Sequence, residues 1–243
     1  MNKNLLVYSI IIPLYNEEEA IIPALKQIKG YFNKRKIAYE VILVNDGSTD
    51  TTVSKIHDKI ISNSEIKLLG NVCNEGKGAA VRKGILNSCG DYLIFMDADM
   101  SVPIEEMDSV LDLISNKDEV IIGIRDEKAK NKKVSRSFAR KLVNRAYNFL
   151  ANFLFNLGIK DVGCGFKCFP SVIAKEIFAR QRIKGWVFDV ELLLKARQRG
   201  IYIKELPVSW TSHLVTHINI IPDSIYCVFD LLRIFYYNLF HKL

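Results

Sequence analysis

The stretch Tyr92–Ser101, YLIFMDADMS, constrains the fold of this chain most tightly. Four apolar residues, Leu93 to Met96, run without interruption into two aspartates one residue apart, Asp97 and Asp99. An unbroken apolar run suits a strand covered on both faces, as in a parallel sheet. Ligands of such sheets gather at the carboxyl ends of the strands. Two carboxylates at i and i+2 there can turn toward one hard cation, Mg²⁺ or Mn²⁺, whose other positions go to substrate phosphates. The same residues also fit a strand that stops in a polar turn, with Asp99 or Ser101 capping a helix from Pro103.

With 243 residues, 49% of them hydrophobic, the chain is sized for one large α/β domain with a substantial core. Its five cysteines form no secreted framework, and Cys164 and Cys168 lack the second pair or histidines that zinc requires. Reduced thiols in a cytosolic domain are expected. The net charge is +7, and between Arg125 and Arg145 nine basic residues face only Asp126 and Glu127. Such a segment can meet nucleic acid, anionic lipid or a phosphorylated substrate, or simply be solvated. No nucleic-acid reader motif or interleaved aromatic–basic surface accompanies it, so nucleic acid is not an expected partner. The N-terminus runs almost directly into a strand, so no signal peptide is expected. No apolar run reaches the roughly 18 residues of a bilayer span.

In order, the pattern predicts strand Leu5–Ile12 ending at Pro13, then a helix opened by Asn16–Glu19 and running to Tyr31. Strand Glu40–Val44 ends in the turn Asn45–Asp50, followed by helix Thr52–Ile61 and a short strand at Ile66–Leu69. The loop Asn74–Gly78 leads into helix Ala79–Asn87 and then strand Tyr92–Met96. A helix Ile104–Ile114, a strand Glu119–Ile124 and a core helix Ala146–Leu157 follow. The glycine-rich run Asp161–Lys167 reads as irregular. Asp189 reads as the N-cap of helix Val190–Arg199, and strand Tyr202–Val208 comes next. From Asp223 the tail fits an amphipathic helix lying on a membrane or on the domain. Repeated β-α-β units with polar strand ends predict a doubly wound sheet with its site along one edge. Neither G-x-G-x-x-G after the first strand nor G-x-x-x-x-G-K-[ST] occurs, so phosphate neutralisation must come from elsewhere, and a metal at Asp97 and Asp99 is the candidate.

In combination, Pro13-Leu14-Tyr15-Asn16-Glu17-Glu18, Asn45-Asp46-Gly47-Ser48, Gly76-Lys77-Gly78, Asp97-Ala98-Asp99, Gly163-Cys164-Gly165-Phe166-Lys167 and Trp186 to Leu192 resemble the family 2 glycosyltransferases. Within them the likeness is to the polyprenyl-phosphate branch, most of all dolichyl-phosphate β-glucosyltransferases. The motifs span nearly the whole chain in the family's order. The resemblance implies a GT-A fold, a Rossmann-like, mostly parallel sheet flanked by helices, with a Mg²⁺ or Mn²⁺ cofactor. It implies that Pro13, Tyr15, Glu17, Val44 and Asp46 hold the nucleoside end of a sugar nucleotide. Asp97, Ala98 and Asp99 would lie along the ribose and diphosphate, with the metal on Asp97 and Asp99. Arg125 and Arg136 or Arg140 match phosphate-contacting positions. Lys77 would reach base or diphosphate, or be an ordinary loop lysine, and Ser101, Lys167 and Trp186 complete the substrate-binding set. Asp189 would orient the sugar or act as a base, or merely cap its helix.

The implied reaction moves a hexose, best read as glucose from UDP-glucose, to a polyprenyl or dolichyl phosphate with inversion. GDP-mannose as donor, or a hydroxyl acceptor in cell-surface glycan synthesis, is the alternative. A phosphate monoester, with a second pKa near about 6, needs no base at neutral pH. The implied division is a catalytic domain over residues 1–222, with nucleotide-binding (1–101) and acceptor-binding (102–222) halves, and an amphipathic helix over 223–243. A peripheral enzyme on the cytoplasmic membrane face, alone or with a separate membrane partner, is expected. The chain departs from its relatives at Asn45, where they often have a second aspartate, and at Ser101, where mannosyl relatives often have glutamine. On the acceptor side, after Trp210 it reads Thr211-Ser212-His213-Leu214 in place of the branch's acidic residue and Gly-Ser-Lys turn.

Overall fold

The computed structural model describes residues 7–61, 63–114, 118–125, 138–211 and 220–241, without the side chains of 58, 61, 138–141, 220–223 and 241. Seven strands form one sheet: β1 (Val7–Leu14), β2 (Ala38–Asp46), β3 (Ile66–Asn71), β4 (Tyr92–Phe95), β5 (Glu119–Arg125), β6 (Lys167–Pro170) and β7 (Tyr202–Val208). Their order is β3-β2-β1-β4-β6-β5-β7, parallel except for β6, which runs antiparallel between β4 and β5. The mostly parallel, helix-flanked architecture expected from the strand pattern is the one observed.

Alternation along the strands builds two cores. Ile10 and Ile12 point to one face of the sheet and Ile11 to the other. On β2 Val41 and Leu43 join the first cluster, Ile42 and Val44 the second. Both faces are covered, which is why these strands read as continuous apolar runs. The helices α1 (Ile21–Arg35), α2 (Thr52–Ile61), α3 (Lys77–Leu86), α4 (Met107–Leu113), α5 (Phe138–Phe155), α6 (Ser171–Ala179), α7 (Phe188–Gln198) and α8 (Ile220–His241) flank the sheet. A 3₁₀ turn, Ile104–Glu106, precedes α4.

Several expectations are corrected. β1 continues through Pro13, which pairs with Val44. β4 has already ended its pairing at Ile11 there, so the missing proline N–H breaks no ladder on that side. Asn16–Glu19 does not open α1. Asn16 has φ of +56°, and the helix starts at Ile21 with no acidic residue in its first turn. β6 and α6 were not foreseen: a four-residue strand beginning in a glycine-rich run carries little periodic signal. α5 is longer than the expected core helix and only partly buried: Phe149 and Phe153 are 70% and 75% exposed.

α8 packs on α5, with Leu231 and Ile234 in the core and the Phe155 and Phe235 rings 6.3 Å apart. Its other face exposes Tyr226, Phe229, Leu232 and Phe240. Of the two settings expected for the tail, packing on the domain is the one observed, and the helix's other face is left apolar and outward. Among the described residues no helix is long and apolar enough to cross a membrane.

Candidate active site

The loops after β1 and β2 are sewn together. Asn16 N–H donates to Ser48 Oγ at 3.0 Å, Glu17 N–H to Thr52 Oγ1 at 2.8 Å, and Thr49 N–H to Asn16 Oδ1 at 2.8 Å. These bonds fix the left-handed Asn16 and explain why the two motifs lie 30 residues apart yet act on one place. Asp46, nearly buried, then reaches the next loop. It accepts from Asn71 Nδ2 at 2.7 Å, Glu75 N–H at 2.9 Å and Gly76 N–H at 2.8 Å. Gly76 sits at φ +105°, and a Cβ there would fall 2.6 Å from the Lys184 carbonyl oxygen.

α3 begins at Lys77, whose Nζ lies 2.6 Å from Asp97 Oδ1 and 5.5 Å from the centre of the Trp186 ring. Burial works against this ammonium, but Asp97 and Asp189 outweigh it and raise the pKa. Asp99 accepts from the Ser101 N–H at 2.8 Å and its Oγ at 2.7 Å, so Ser101 acts as a local clasp. Gly165 packs directly on Asp97: a Cβ there would lie 2.1 Å from Oδ2, and only glycine leaves the carboxylate its place.

Pro13, Tyr15, Glu17 and Asp46 line one cleft of about 1300 Å³ with Lys77 and Asp97. Ala98, Asp99, Ser101, Arg125, Trp186 and Asp189 border the same space. Two expected residues do not. Val44 is fully buried in the core. Lys167, also fully buried, donates to the Val162 and Cys164 carbonyls at 2.9 and 2.6 Å and lies 2.8 Å from Asp189 Oδ1. It stands behind Asp189 rather than in the cleft. Arg136 and the side chain of Arg140 lie outside the described residues.

Asp189 is not the N-cap of its helix. α7 starts at Phe188 after Val187 with no side-chain cap, and Asp189 is a buried residue of the first turn facing Lys167. Burial raises its pKa against the pull of Lys167 and Lys77. Arg125 is held by Asp161, Nε to Oδ2 at 2.5 Å, and by Asn144 Oδ1 at 3.2 Å. Asp161 outweighs the effect of burial and raises the arginine's pKa. Asp161 was not singled out beforehand. Its signal was the glycine-rich motif it opens, but a partner 36 residues away is invisible to local pattern.

Glu17 reports on the charge of this edge. Burial, then Asp99 and Asp97, push its carboxyl up to about 7. A divalent cation would relieve that repulsion, and hard carboxylate oxygens are the donors Mg²⁺ and Mn²⁺ prefer. Among the described residues no three His, Cys, Asp or Glu side chains form a closed metal cage. Asp97 and Asp99 border the cleft with carboxylate oxygens of the kind such a cation takes.

The opposite wall is apolar. Val143, Ala146 and Leu150 of α5 and Val228 and Leu231 of α8 border the cleft, with Tyr147 between them. The Tyr147 hydroxyl is buried without a hydrogen-bond partner, and burial holds its pKa well above the usual phenol value.

The chain is 34% identical over 210 residues to a dolichyl-phosphate beta-glucosyltransferase of Trichomonas vaginalis, covering 82% of this chain and 62% of that one. A human protein of the same name is 34% identical over 217 residues, 84% and 67% of the two chains. This chain thus spans about two thirds of the length of these relatives. Among solved structures, glucosyl-3-phosphoglycerate synthase of Mycobacterium tuberculosis, in complex with Mn²⁺, UDP-glucose and phosphoglyceric acid, superimposes with a TM-score of 0.70. It is 17% identical, with 95% of this chain and 80% of that one covered, and the likeness is one of fold. The sequence profile described as glycosyl transferase family 2 matches residues 9–178. With GT-A architecture, strand-end aspartates in one cleft and this match over well more than half its length, the chain belongs to the family 2 glycosyltransferases.

Proposed function

We propose that this chain is a metal-dependent inverting hexosyltransferase moving glucose from UDP-glucose to a dolichyl or other polyprenyl phosphate, bound peripherally on the cytoplasmic face of a membrane. One observation carries this reading. Carboxylates at the ends of β1, β2 and β4 open into the same cleft as the apolar flanks of α5 and α8. A site for a charged nucleotide alone has no use for that second wall; an amphiphilic acceptor does. The names of the relatives support the sugar and the lipid phosphate.

On this reading Asp46, Glu17, Tyr15 and Pro13 bind the nucleoside. Asp97 and Asp99 would hold Mg²⁺ or Mn²⁺, which when bound would neutralise the diphosphate and the charge that develops as it leaves. Lys77, already on Asp97, adds a fixed positive charge beside the leaving group. An acceptor phosphate oxygen attacks the anomeric carbon from the face opposite the departing oxygen. The new C–O bond forms as the old one breaks, its electron pair leaves with UDP, and an α-linked donor becomes a β-linked product. No proton need move, because a phosphate monoester with a second pKa near about 6 is largely dianionic at neutral pH. Arg125 attracts the acceptor anion, and Asp189, backed by Lys167, orients the sugar. Residues 1–222 act as the catalytic domain, with 1–101 on the donor side and 102–222 on the acceptor side. The 223–243 segment rests on the membrane together with the outer face of α5. The basic run after Arg125 suits anionic headgroups.

Transfer to a hydroxyl is favoured by one feature, the buried Asp189 with its raised pKa on the cleft wall, which suits a general base. Asp189→Asn separates the two: partial loss fits the phosphate acceptor, complete loss the hydroxyl. The first test is UDP release from UDP-glucose with Mg²⁺ or Mn²⁺, with and without a polyprenyl phosphate, and GDP-mannose in parallel. Lipid-dependent release from UDP-glucose that is absent in Asp99→Ala is the expected result. Transfer from GDP-mannose alone moves the chain to a mannosyl function, and no lipid dependence with either donor overturns the acceptor.

A further inference from the structure

Behind the cleft lies a buried ion pair that none of the residues above explains. Glu191 and Lys195, one turn apart on α7, are each 1% exposed, with Nζ 2.5 Å from Oε1. Burying two charges is costly unless hydrogen bonds satisfy both groups. Here they do, and all on one segment, residues 180–187 between α6 and α7. Glu191 accepts the Arg182 N–H at 2.9 Å through Oε1 and the Ile183 N–H at 2.8 Å through Oε2. Lys195 donates to the Arg180 carbonyl.

The other side of that segment grips the start of α3. Ala79 N–H donates to the Lys184 carbonyl at 3.1 Å, Gln181 Nε2 to the Gly78 carbonyl at 2.9 Å, and Lys184 Nζ to Glu75 Oε2 at 2.7 Å. The approach is close enough that a Cβ on Gly78 would meet Phe188 Cβ at 2.7 Å. The Gly76–Gly78 turn is therefore held from two directions, by Asp46 within the cleft and by the 180–187 segment behind it. What the turn delivers is Lys77 onto Asp97, and the segment itself carries Trp186.

We propose that Glu191, with Lys195, is a positioning residue of this site: it sets the 180–187 segment and thereby places Lys77 on Asp97 and Trp186 beside Lys77. Its effect on substrate rests on the reading of the cleft as a sugar-nucleotide site; its effect on geometry does not. Glu191→Gln alone leaves Lys195 buried and unpaired and is at risk of misfolding. The test therefore pairs it with Lys195→Met, so that no lone charge remains buried.

The first readout needs no ligand. The chain has two tryptophans, so in a Trp210→Phe background emission comes from Trp186 alone. Acrylamide quenching of Trp186 is expected to rise in the Glu191→Gln/Lys195→Met protein while its far-UV circular dichroism stays unchanged. Unchanged quenching in the folded variant overturns the proposal. The second readout is UDP affinity by calorimetry. A loss of roughly ten-fold or more is expected, the scale seen when outer-shell partners of a site are removed. In a Lys77→Ala background the same two substitutions are expected to cost less than about two-fold, because coupled positions are not additive. Equal losses in both backgrounds indicate a general structural role and overturn the proposal. If the wild-type protein binds neither UDP nor GDP, the sugar-nucleotide reading fails, and the quenching result still decides the positioning.

Discussion

The two walls of the cleft are built on opposite plans. The wall at the ends of β1, β2 and β4 is polar and tightly cross-bonded: Asp46 holds two backbone N–H groups, Asn16 ties two loops, and Gly165 leaves no slack around Asp97. The wall formed by α5 and α8 is apolar inside and, among its described residues, also apolar outside, with Phe149, Phe153 and Phe229 all more than 60% exposed. Rigid polar groups suit a ligand whose charges must be met at fixed points. Exposed aromatic faces suit a fluid surface that needs area rather than register. On the proposed function one wall serves chemistry and the other docking, and substitutions on the two walls should therefore fail differently.

The largest effect belongs to the polar wall. Asp99→Ala is expected to lower metal-dependent transfer roughly 10³-fold, with vesicle binding unchanged; loss of both together would erase the distinction between walls. Lys167→Met comes next, leaving Asp189 buried without its cation. Breaking such a pair costs roughly 3–5 kcal/mol, read as a lower midpoint in urea unfolding. A midpoint unchanged from wild type would mean the ion pair at 2.8 Å contributes nothing. Gly165→Ala displaces the Asp97 carboxylate and is expected to cost roughly 10²-fold in turnover with Tm nearly preserved, since small misplacements at a reacting centre carry that scale.

On the apolar wall, changing Phe149, Phe153 and Phe229 to serine is expected to weaken binding to anionic vesicles by about ten-fold per aromatic removed. UDP affinity should be unaffected, and a parallel loss of UDP affinity would show the walls are coupled. The smallest effect concerns Glu17, whose pKa is raised to about 7, largely by burial and then by Asp99 and Asp97. For a carboxyl whose folded pKa lies above its unfolded value, the stabilising proton is bound at low pH and lost on the way up. Without metal, the protein should lose stability of order 1 kcal/mol, after solvent screening, as pH rises from about 4.5 to 7. Glu17→Gln should flatten that slope, and added Mg²⁺ should recover stability at pH 8. An unchanged slope in the variant would assign it to other groups.

Local pattern made the donor side legible. An apolar strand ending in Asp97 and Asp99, and turns such as Asn45–Asp50 after β2, mark the carboxyl edge of a parallel sheet wherever the strands fall in order. Pro13 was misread as a stop because its tolerance depends on where β4 ends, a neighbour 80 residues away in the chain. Lys167 was expected in the cleft and lies behind it, and the cap reading of Asp189 fails, for a similar reason. A lysine after a glycine-rich loop reads as a substrate contact, and an aspartate at a helix start reads as a cap, until the fold sets them 2.8 Å apart.

By itself the sequence determined the alternation of strands and helices up to β5, the parallel pairing to be expected of its buried strands and the strand-end carboxylates, but not β6, α6 or the antiparallel run of β6. Continuous apolar runs and abrupt polar strand ends are local properties that no later packing reverses. Tertiary structure alone decided that Lys77 meets Asp97, that Arg125 is held by Asp161, and that the aromatics of α5 and α8 face outward. Charge pairing depends on which strand lies beside which, and hydropathy is the same number whether a phenylalanine is covered by the core or left for something else to cover.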